Sequence, residues 1–193
     1  MLKSFRLARG LFMAALSFST IAFSGGQLKA DAEFGDDYHF YPASNATQKK
    51  LDTLVGKKMP ELSVSGWING EVKAEDMKGK VIVIDIWATW CGPCIASIPH
   101  NNEMLEAHKK DGLVIVGVCS SKNGQEKLEK VVEDKKIAYP VCKDPDLKTE
   151  KAFNLGFYPT YIIVDRKGNV RSAGMRPDKV EEVVKKLLAE KAE

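Results

Sequence analysis

Two cysteines, Cys91 and Cys94, are separated only by Gly92 and Pro93 in the segment WCGPC. They follow the apolar run KVIVIDIWA (80–88), which is typical of a strand buried on both faces. The segment after them predicts a helix, so Cys91 stands at a helix N-terminus and Cys94 lies one turn further on. Two thiols in this arrangement can close a small disulfide ring and exchange it with another disulfide.

The two sulfurs are predicted to have different roles. Backbone N–H groups without partners and the helix dipole favour a thiolate at Cys91, because both lower the pKa of a thiol at a helix N-terminus. Cys91 is therefore the expected attacking sulfur, and Cys94 is expected to stay a thiol until it resolves a mixed disulfide. Trp90 directly precedes the pair and is predicted to shield the thiols; a purely structural Trp90 is the alternative.

Asp85 is an acid inside the otherwise apolar strand, six residues before Cys91. A buried carboxylate without a partner costs several kcal/mol, so its pKa is expected to be raised. Below the second thiol, Asp85 can accept the proton of Cys94 as that sulfur attacks. The alternative is a structural aspartate that binds backbone or water.

The same pair of cysteines could be half of a zinc site, but structural zinc needs four ligands, usually from two such clusters. The other cysteines, Cys119 and Cys142, are far apart, and the three histidines form no cluster. We therefore predict no metal and no cofactor beyond the disulfide. Cys119 and Cys142 each end a predicted strand; two inert buried thiols and a second disulfide are both open interpretations.

The charge of the chain gives no support for nucleic-acid binding. The whole chain has 29 basic and 26 acidic residues. Four of the basic residues and none of the acidic ones lie in 1–30, so the remainder carries a net charge of −1.

Residues 1–30 have the pattern of a signal peptide: a cationic start, an apolar run of about 14 residues and then small residues. That run is shorter than the roughly 20 residues of a comfortable bilayer span, so an uncleaved anchor is the alternative. We expect the protein to be exported, to the periplasm or the outer face of the cytoplasmic membrane, with membrane contact only through this segment. Residues 31–50 are polar and are expected to be an extension or linker; the compact domain is expected over 51–193.

Strands and helices alternate from residue 51 onwards. Strands are predicted at 61–66, 80–88, 113–120 and 139–142, helices at 91–110 (kinked near Pro99), 125–136, 146–155 and 178–191, and a hairpin at 160–174. This order predicts an α/β fold with a central mixed sheet and helices on both faces, parallel in its first half and antiparallel at the hairpin. The cysteine pair then lies at the edge where such sheets bind ligands.

The motif WCGPC after DIWAT, together with YPT at 158–160, resembles the thioredoxin superfamily over residues 56–193. Its exported TlpA/ResA-like reductases are resembled by the opening LVGKKMPELSV, the motif IWATWCGPC, Pro99, the extra segment GQEKLEKVVEDKKIAYPVCKDPDL (124–147) and the DRKGNV hairpin. The resemblance implies a thioredoxin-like fold and a cis Pro159. It also implies that the substrate-binding segment Tyr158, Pro159 and Thr160 pairs with an extended substrate.

The resemblance further implies disulfide-containing protein substrates, a membrane electron-donor protein and a task such as keeping apocytochrome c cysteines reduced. The Gly-Pro dipeptide matches the reducing thioredoxin type. Two positions depart from the TlpA/ResA-like pattern: Ser97 stands where many members have glutamate, and Asp85 where a neutral residue is frequent. A thiol oxidase or isomerase, a thiol peroxidase and a non-catalytic binding or copper-chaperone module remain alternatives.

Overall fold

Six strands of the computed structural model, which describes residues 33–191, form one mixed sheet in the order β1-β4-β3-β2-β5-β6. The strands are β1 (Ser65–Ile68), β2 (Val81–Trp87), β3 (Leu113–Cys119), β4 (Val141–Lys143), β5 (Thr160–Val164) and β6 (Val170–Met175). The helices are α1 (Ala46–Asp52), α2 (Ala74–Met77), α3 (Gly92–His108), α4 (Leu128–Lys135), α5 (Lys148–Ala152) and α6 (Pro177–Ala189). The predicted signal segment, residues 1–30, lies outside the described residues.

The sheet has the predicted mixture of directions. Strand β2 is parallel to β3, and β3 to β4, whereas β5 is antiparallel to both β2 and β6. Strand β1 pairs antiparallel with β4. All seven residues of β2 are buried, because both of its faces are covered, and this explains the unbroken apolar run in the sequence.

The two faces of the sheet support two separate cores. Odd-numbered residues of β2, such as Val83 and Trp87, pack with side chains of α3, α4 and α6. Even-numbered residues, such as Ile84, pack on the other face with Leu51 of α1 and with Phe153. Within residues 33–191, no helix combines the length and apolar character that a bilayer crossing requires.

The described part of the expected linker packs against the domain. Phe34 is 1% exposed and belongs to the core beneath α6. His39 forms a β-bridge to β6, and the side chain of Gln48 donates a hydrogen bond of 2.9 Å to the carbonyl of Ala173. The folded unit therefore begins well before the expected boundary at 51. Its anchors are single side chains at irregular spacing, so the sequence shows no periodic pattern there.

Two strand positions also differ from the prediction. The first strand occupies 65–68 instead of 61–66, and its partner β4 occupies 141–143 instead of 139–142. Strand β1 forms its hydrogen-bonded pairs only with the three-residue strand β4. The position of β4 therefore determines which residues form β1. Helix α3 continues through Pro99 as one helix over Gly92–His108, and the short helix α2 was not expected.

The burial of Phe34 makes a direct prediction about the N-terminal segment. Phe34→Ala removes a fully buried ring, so the free energy of unfolding should fall by about 3–5 kcal/mol. Phe40→Ala is the matched control: Phe40 is 40% exposed, and the loss should be only about 1–2 kcal/mol. Urea unfolding followed by circular dichroism measures both. A loss for Phe34→Ala no larger than that for Phe40→Ala would show that Phe34 is not part of the core.

Candidate active site

Cys91 and Cys94 form a disulfide at the point where β2 ends and α3 begins. Cys91 has extended backbone and is the N-cap residue of α3, and its Sγ accepts a hydrogen bond of 3.3 Å from the backbone N–H of Cys94. Pro93 lies in the first turn, where its missing N–H leaves no helical bond unmade. Cys91 is 5% exposed and Cys94 is 2% exposed, so both are buried and Cys91 is slightly the more accessible residue.

Trp90 forms an exposed wall beside the disulfide. Its side chain is 62% exposed. The indole N–H donates to Ser121 Oγ at 3.0 Å and lies 3.2 Å from the carbonyl of Asn123, in the loop that follows β3. The ring meets the ring of Tyr158 edge-on, with 5.8 Å between centroids. These contacts hold Trp90 in place while its ring stays open to solvent.

The peptide bond between Tyr158 and Pro159 is cis, as the family resemblance implies. The Tyr158 hydroxyl lies 2.6 Å from the carbonyl oxygen of Ser120 and 2.9 Å from a carboxylate oxygen of Glu150. Burial, together with Glu150, raises the pKa of Tyr158 above its ordinary value, so this hydroxyl stays a neutral donor. Thr160 is buried and donates its hydroxyl to the carbonyl of Phe157.

Asp85 is 2% exposed and points to the sheet face that also carries Cys94. Its Oδ2 accepts hydrogen bonds from Asn101 Nδ2 at 3.0 Å and from the Tyr139 hydroxyl at 3.2 Å. Its Oδ1 has no hydrogen-bond partner among the described residues. Burial raises the pKa of Asp85 to about 7, although these donors and Tyr161 act in the opposite direction.

A hydrogen-bonded chain connects Asp85 with the second cysteine. Asn101 also donates to the Tyr161 hydroxyl at 2.9 Å, and that hydroxyl donates to Ser97 Oγ at 3.0 Å. Ser97 in turn donates to the backbone carbonyl of Cys94 at 2.9 Å. The buried acid and the peptide unit of the resolving cysteine thus belong to one polar network.

Sequence reasoning found Asp85 but missed the donors around it. Asn101 comes from α3, Tyr139 from the segment before β4 and Tyr161 from β5. Gly117 is the register partner of Asp85 in β3, and a Cβ there would lie 2.9 Å from the Tyr139 ring. The glycine therefore leaves room for the tyrosine that reaches the acid. A buried carboxylate needs hydrogen-bond donors. This need is the signal in the sequence that points to polar residues of the neighbouring elements.

Cys119 and Cys142 remain free, buried thiols, so the second disulfide is not formed. Their strands are parallel neighbours as expected, but Cys142 is in register with Val118. A one-residue offset places two side chains on opposite faces of a sheet, and the two thiols indeed belong to the two different cores. Burial raises the pKa of Cys119 to about 11 and that of Cys142 further still, which makes both poor nucleophiles.

Within 33–191, no three side chains of histidine, cysteine, aspartate or glutamate come together in a way that could hold a metal ion.

The sheet order, the Cys-Gly-Pro-Cys disulfide at a helix N-terminus and the cis Pro159 define a thioredoxin-like dithiol protein. Residues 55–173 match the model of the AhpC/TSA family, and the chain belongs to this family.

Similar proteins agree with this class. The chain is 30% identical over 130 residues to the thiol-disulfide oxidoreductase ResA of Geobacillus kaustophilus, covering 66% of this chain and 73% of that protein. It is 26% identical over 133 residues to ResA of Bacillus cereus (strain ZK / E33L), covering 69% and 75%. The crystal structure of a putative thiol:disulfide interchange protein DsbE from Chlorobium tepidum superposes with a TM-score of 0.60 at 29% identity, covering 69% and 94%. The predicted thioredoxin-like fold and the resemblance to ResA-type proteins are confirmed.

The raised pKa of Asp85 predicts a pH-dependent stability. The folded protein keeps this proton up to about pH 7, whereas the unfolded chain loses it near 3.8. The folded state therefore binds more protons between these values, and its stability falls as the pH rises through them. In the oxidised protein, Asp85→Asn should remove this loss. Its stability relative to wild type should grow by up to roughly 4 kcal/mol between about pH 4 and pH 8.

Urea unfolding of the oxidised proteins at the two pH values measures this difference. Asp37→Asn serves as the control, because Asp37 is exposed and its replacement should shift both values equally. A gain for Asp85→Asn that is the same at both pH values would contradict the prediction.

Proposed function

We propose that this protein is an exported thiol-disulfide oxidoreductase that reduces disulfides in other polypeptides. The observation that carries the proposal is the position of the Cys91–Cys94 disulfide: Cys91, the slightly more exposed residue of the pair, is the N-cap of α3, and its Sγ accepts the N–H of Cys94. A thiolate at this atom is stabilised by that N–H and by the helix dipole. The thiol-disulfide oxidoreductase activity named for the ResA relatives supports the same conclusion.

The reaction is a two-step exchange. In the reduced protein the Cys91 thiolate attacks one sulfur of the substrate disulfide, and the other substrate sulfur leaves as a thiolate that takes a proton from solvent. The Cys94 thiol then loses its proton and attacks Cys91 Sγ, which releases the second substrate thiolate. The substrate gains two electrons and two protons, and the protein ends with the disulfide seen in the structure.

Asp85 is the proposed acceptor of the Cys94 proton. Its pKa of about 7 makes it half ionised near neutral pH, which suits an acceptor at that pH. The oxygen available for the proton is Oδ1, because Oδ2 already accepts from Asn101 and Tyr139. Ser97 occupies the position where many TlpA/ResA-like proteins carry glutamate, so in this chain the acid lies on β2 instead of α3.

The substrate segment is proposed to run along Tyr158, Pro159 and Thr160, beside the exposed ring of Trp90. The signal-peptide pattern of residues 1–30 supports export, and the Gly-Pro dipeptide supports a reducing potential. Outside the cytoplasm a reductase must be reduced again after each turnover, and a membrane electron-donor protein is the proposed source. Apocytochrome c cysteines are the proposed substrates.

Reduction of insulin by dithiothreitol tests this mechanism. Wild type should accelerate the reaction, whereas Cys94→Ser should fall to the rate of dithiothreitol alone, because nothing resolves the mixed disulfide on Cys91. The same variant should accumulate that mixed disulfide, which mass spectrometry of the non-reduced protein detects. Cys142→Ala is the matched control and should keep wild-type activity, since Cys142 lies on the opposite face of the sheet.

Equal turnover by wild type and Cys94→Ser would exclude the dithiol mechanism.

Equilibration with glutathione measures the redox potential of the Cys91–Cys94 pair and separates a reductase from an oxidase or isomerase. A potential near −270 mV, the value of thioredoxin, is expected, and one above about −200 mV would contradict the proposed direction.

A further inference from the structure

The large hydrophobic side chains exposed in residues 33–191 form one surface beside the disulfide. They are Phe40, Tyr41 and Trp90. Phe40 and Tyr41 make edge-on contacts with the ring of Phe157 at 5.5 and 5.0 Å, and Trp90 makes one with Tyr158 at 5.8 Å. Phe157 and Tyr158 are consecutive, so these five residues form a continuous surface, which we call the aromatic strip. It leads from the redox pair to the N-terminal segment.

A cavity of about 390 Å³ opens within the aromatic strip. Its lining consists of Trp90, Glu150, Leu155, Gly156, Phe157 and Tyr158. Glu150 is the single charged residue of this lining, and no cationic side chain accompanies it there. The Tyr158 hydroxyl holds its carboxylate at 2.9 Å, and the buried Asp144 binds its backbone N–H at 2.8 Å. An anchored carboxylate thus faces a cavity with three aromatic walls.

The cavity is continuous with the proposed substrate path. Trp90 adjoins Cys91, and Tyr158 adjoins Pro159, so two of its walls flank the site of exchange. Successive residues of an extended chain advance about 3.3 Å. A polypeptide whose cysteine is joined to Cys91 and that runs along Tyr158 and Pro159 is therefore placed to present a neighbouring side chain to this cavity.

We propose that this cavity selects a lysine or arginine side chain of the substrate polypeptide, one or two residues from the reacting cysteine. The inference rests on the proposed function. A cation gains from the faces of aromatic rings and from the Glu150 carboxylate, while its aliphatic stem covers the apolar lining. An acidic residue at the same place is repelled by both. Phe40 and Tyr41 then support the next residues of the bound segment, so the N-terminal segment extends the substrate surface.

Three oxidised two-cysteine peptides test this specificity. They differ only in the residue beside one cysteine, which is lysine, norleucine or glutamate. We expect wild type to reduce the lysine peptide with a kcat/KM about fivefold above that of norleucine, with glutamate lowest and the difference mainly in KM. Glu150→Gln keeps an acceptor for Tyr158 but removes the charge, and it should reduce the lysine and norleucine peptides with nearly equal kcat/KM. Glu133→Gln, at an exposed position of α4, is the matched control and should keep the full preference.

The wild-type protein alone provides a second measurement. Because the preference is electrostatic, it should shrink as the salt concentration rises from about 20 to about 500 mM. A preference that is absent in wild type, that survives Glu150→Gln, or that does not respond to salt would overturn the inference.

Reduction of the neutral 2-hydroxyethyl disulfide by wild type is measured as well. It distinguishes failure of the cavity inference from failure of the proposed function. Normal turnover of that compound with no discrimination among the peptides refutes the cavity alone. Failure to reduce the neutral disulfide and all three peptides refutes the proposed function, and the inference with it.

Discussion

The backbone N–H of Cys94 donates a hydrogen bond of 3.3 Å to the sulfur of Cys91. This contact requires that the buried strand β2 end just before helix α3 begins. Strand β2 can end there because it is fixed by parallel β3 on one side and antiparallel β5 on the other. The first turn of α3 then directs the N–H of Cys94 to the Cys91 sulfur. The asymmetry between the two cysteines is thus a property of the strand–helix junction.

Asp85 adds a second asymmetry on the inner side of the same strand. A carboxylate in this position lowers the stability of the fold when it is ionised, and Asn101, Tyr139 and Tyr161 offset only part of that cost. Strongly perturbed acids are frequent at functional sites, which supports the proposed role of Asp85 as a proton acceptor. Outside, Trp90, Tyr158 and Glu150 line the cavity proposed to meet the substrate. In the proposed mechanism the inner face of the site serves proton transfer and the outer face serves recognition.

The sequence predicts those features that follow from local patterns. The apolar runs of β2 and β3 and the spacing of Cys91 and Cys94 predicted the sheet and the disulfide, whereas the cis Pro159 followed only from family resemblance. The donors of the Asp85 network come from three separate elements and leave no local pattern. The fate of Cys119 and Cys142 depends on a one-residue register between β3 and β4, which strand adjacency alone does not fix. The packing of residues 33–50 depends on isolated anchors such as Phe34.

The difference in acidity between the two cysteines can be measured in the reduced protein. Brief treatment with iodoacetamide at about pH 6, followed by peptide mass spectrometry, reports which sulfur is a thiolate at that pH. The junction geometry predicts that Cys91 is alkylated and Cys94 is not, and that the selectivity is lost when the protein is unfolded in urea. Labelling of both cysteines at the same rate, or of neither, in the folded protein would contradict the assignment of Cys91 as the nucleophile.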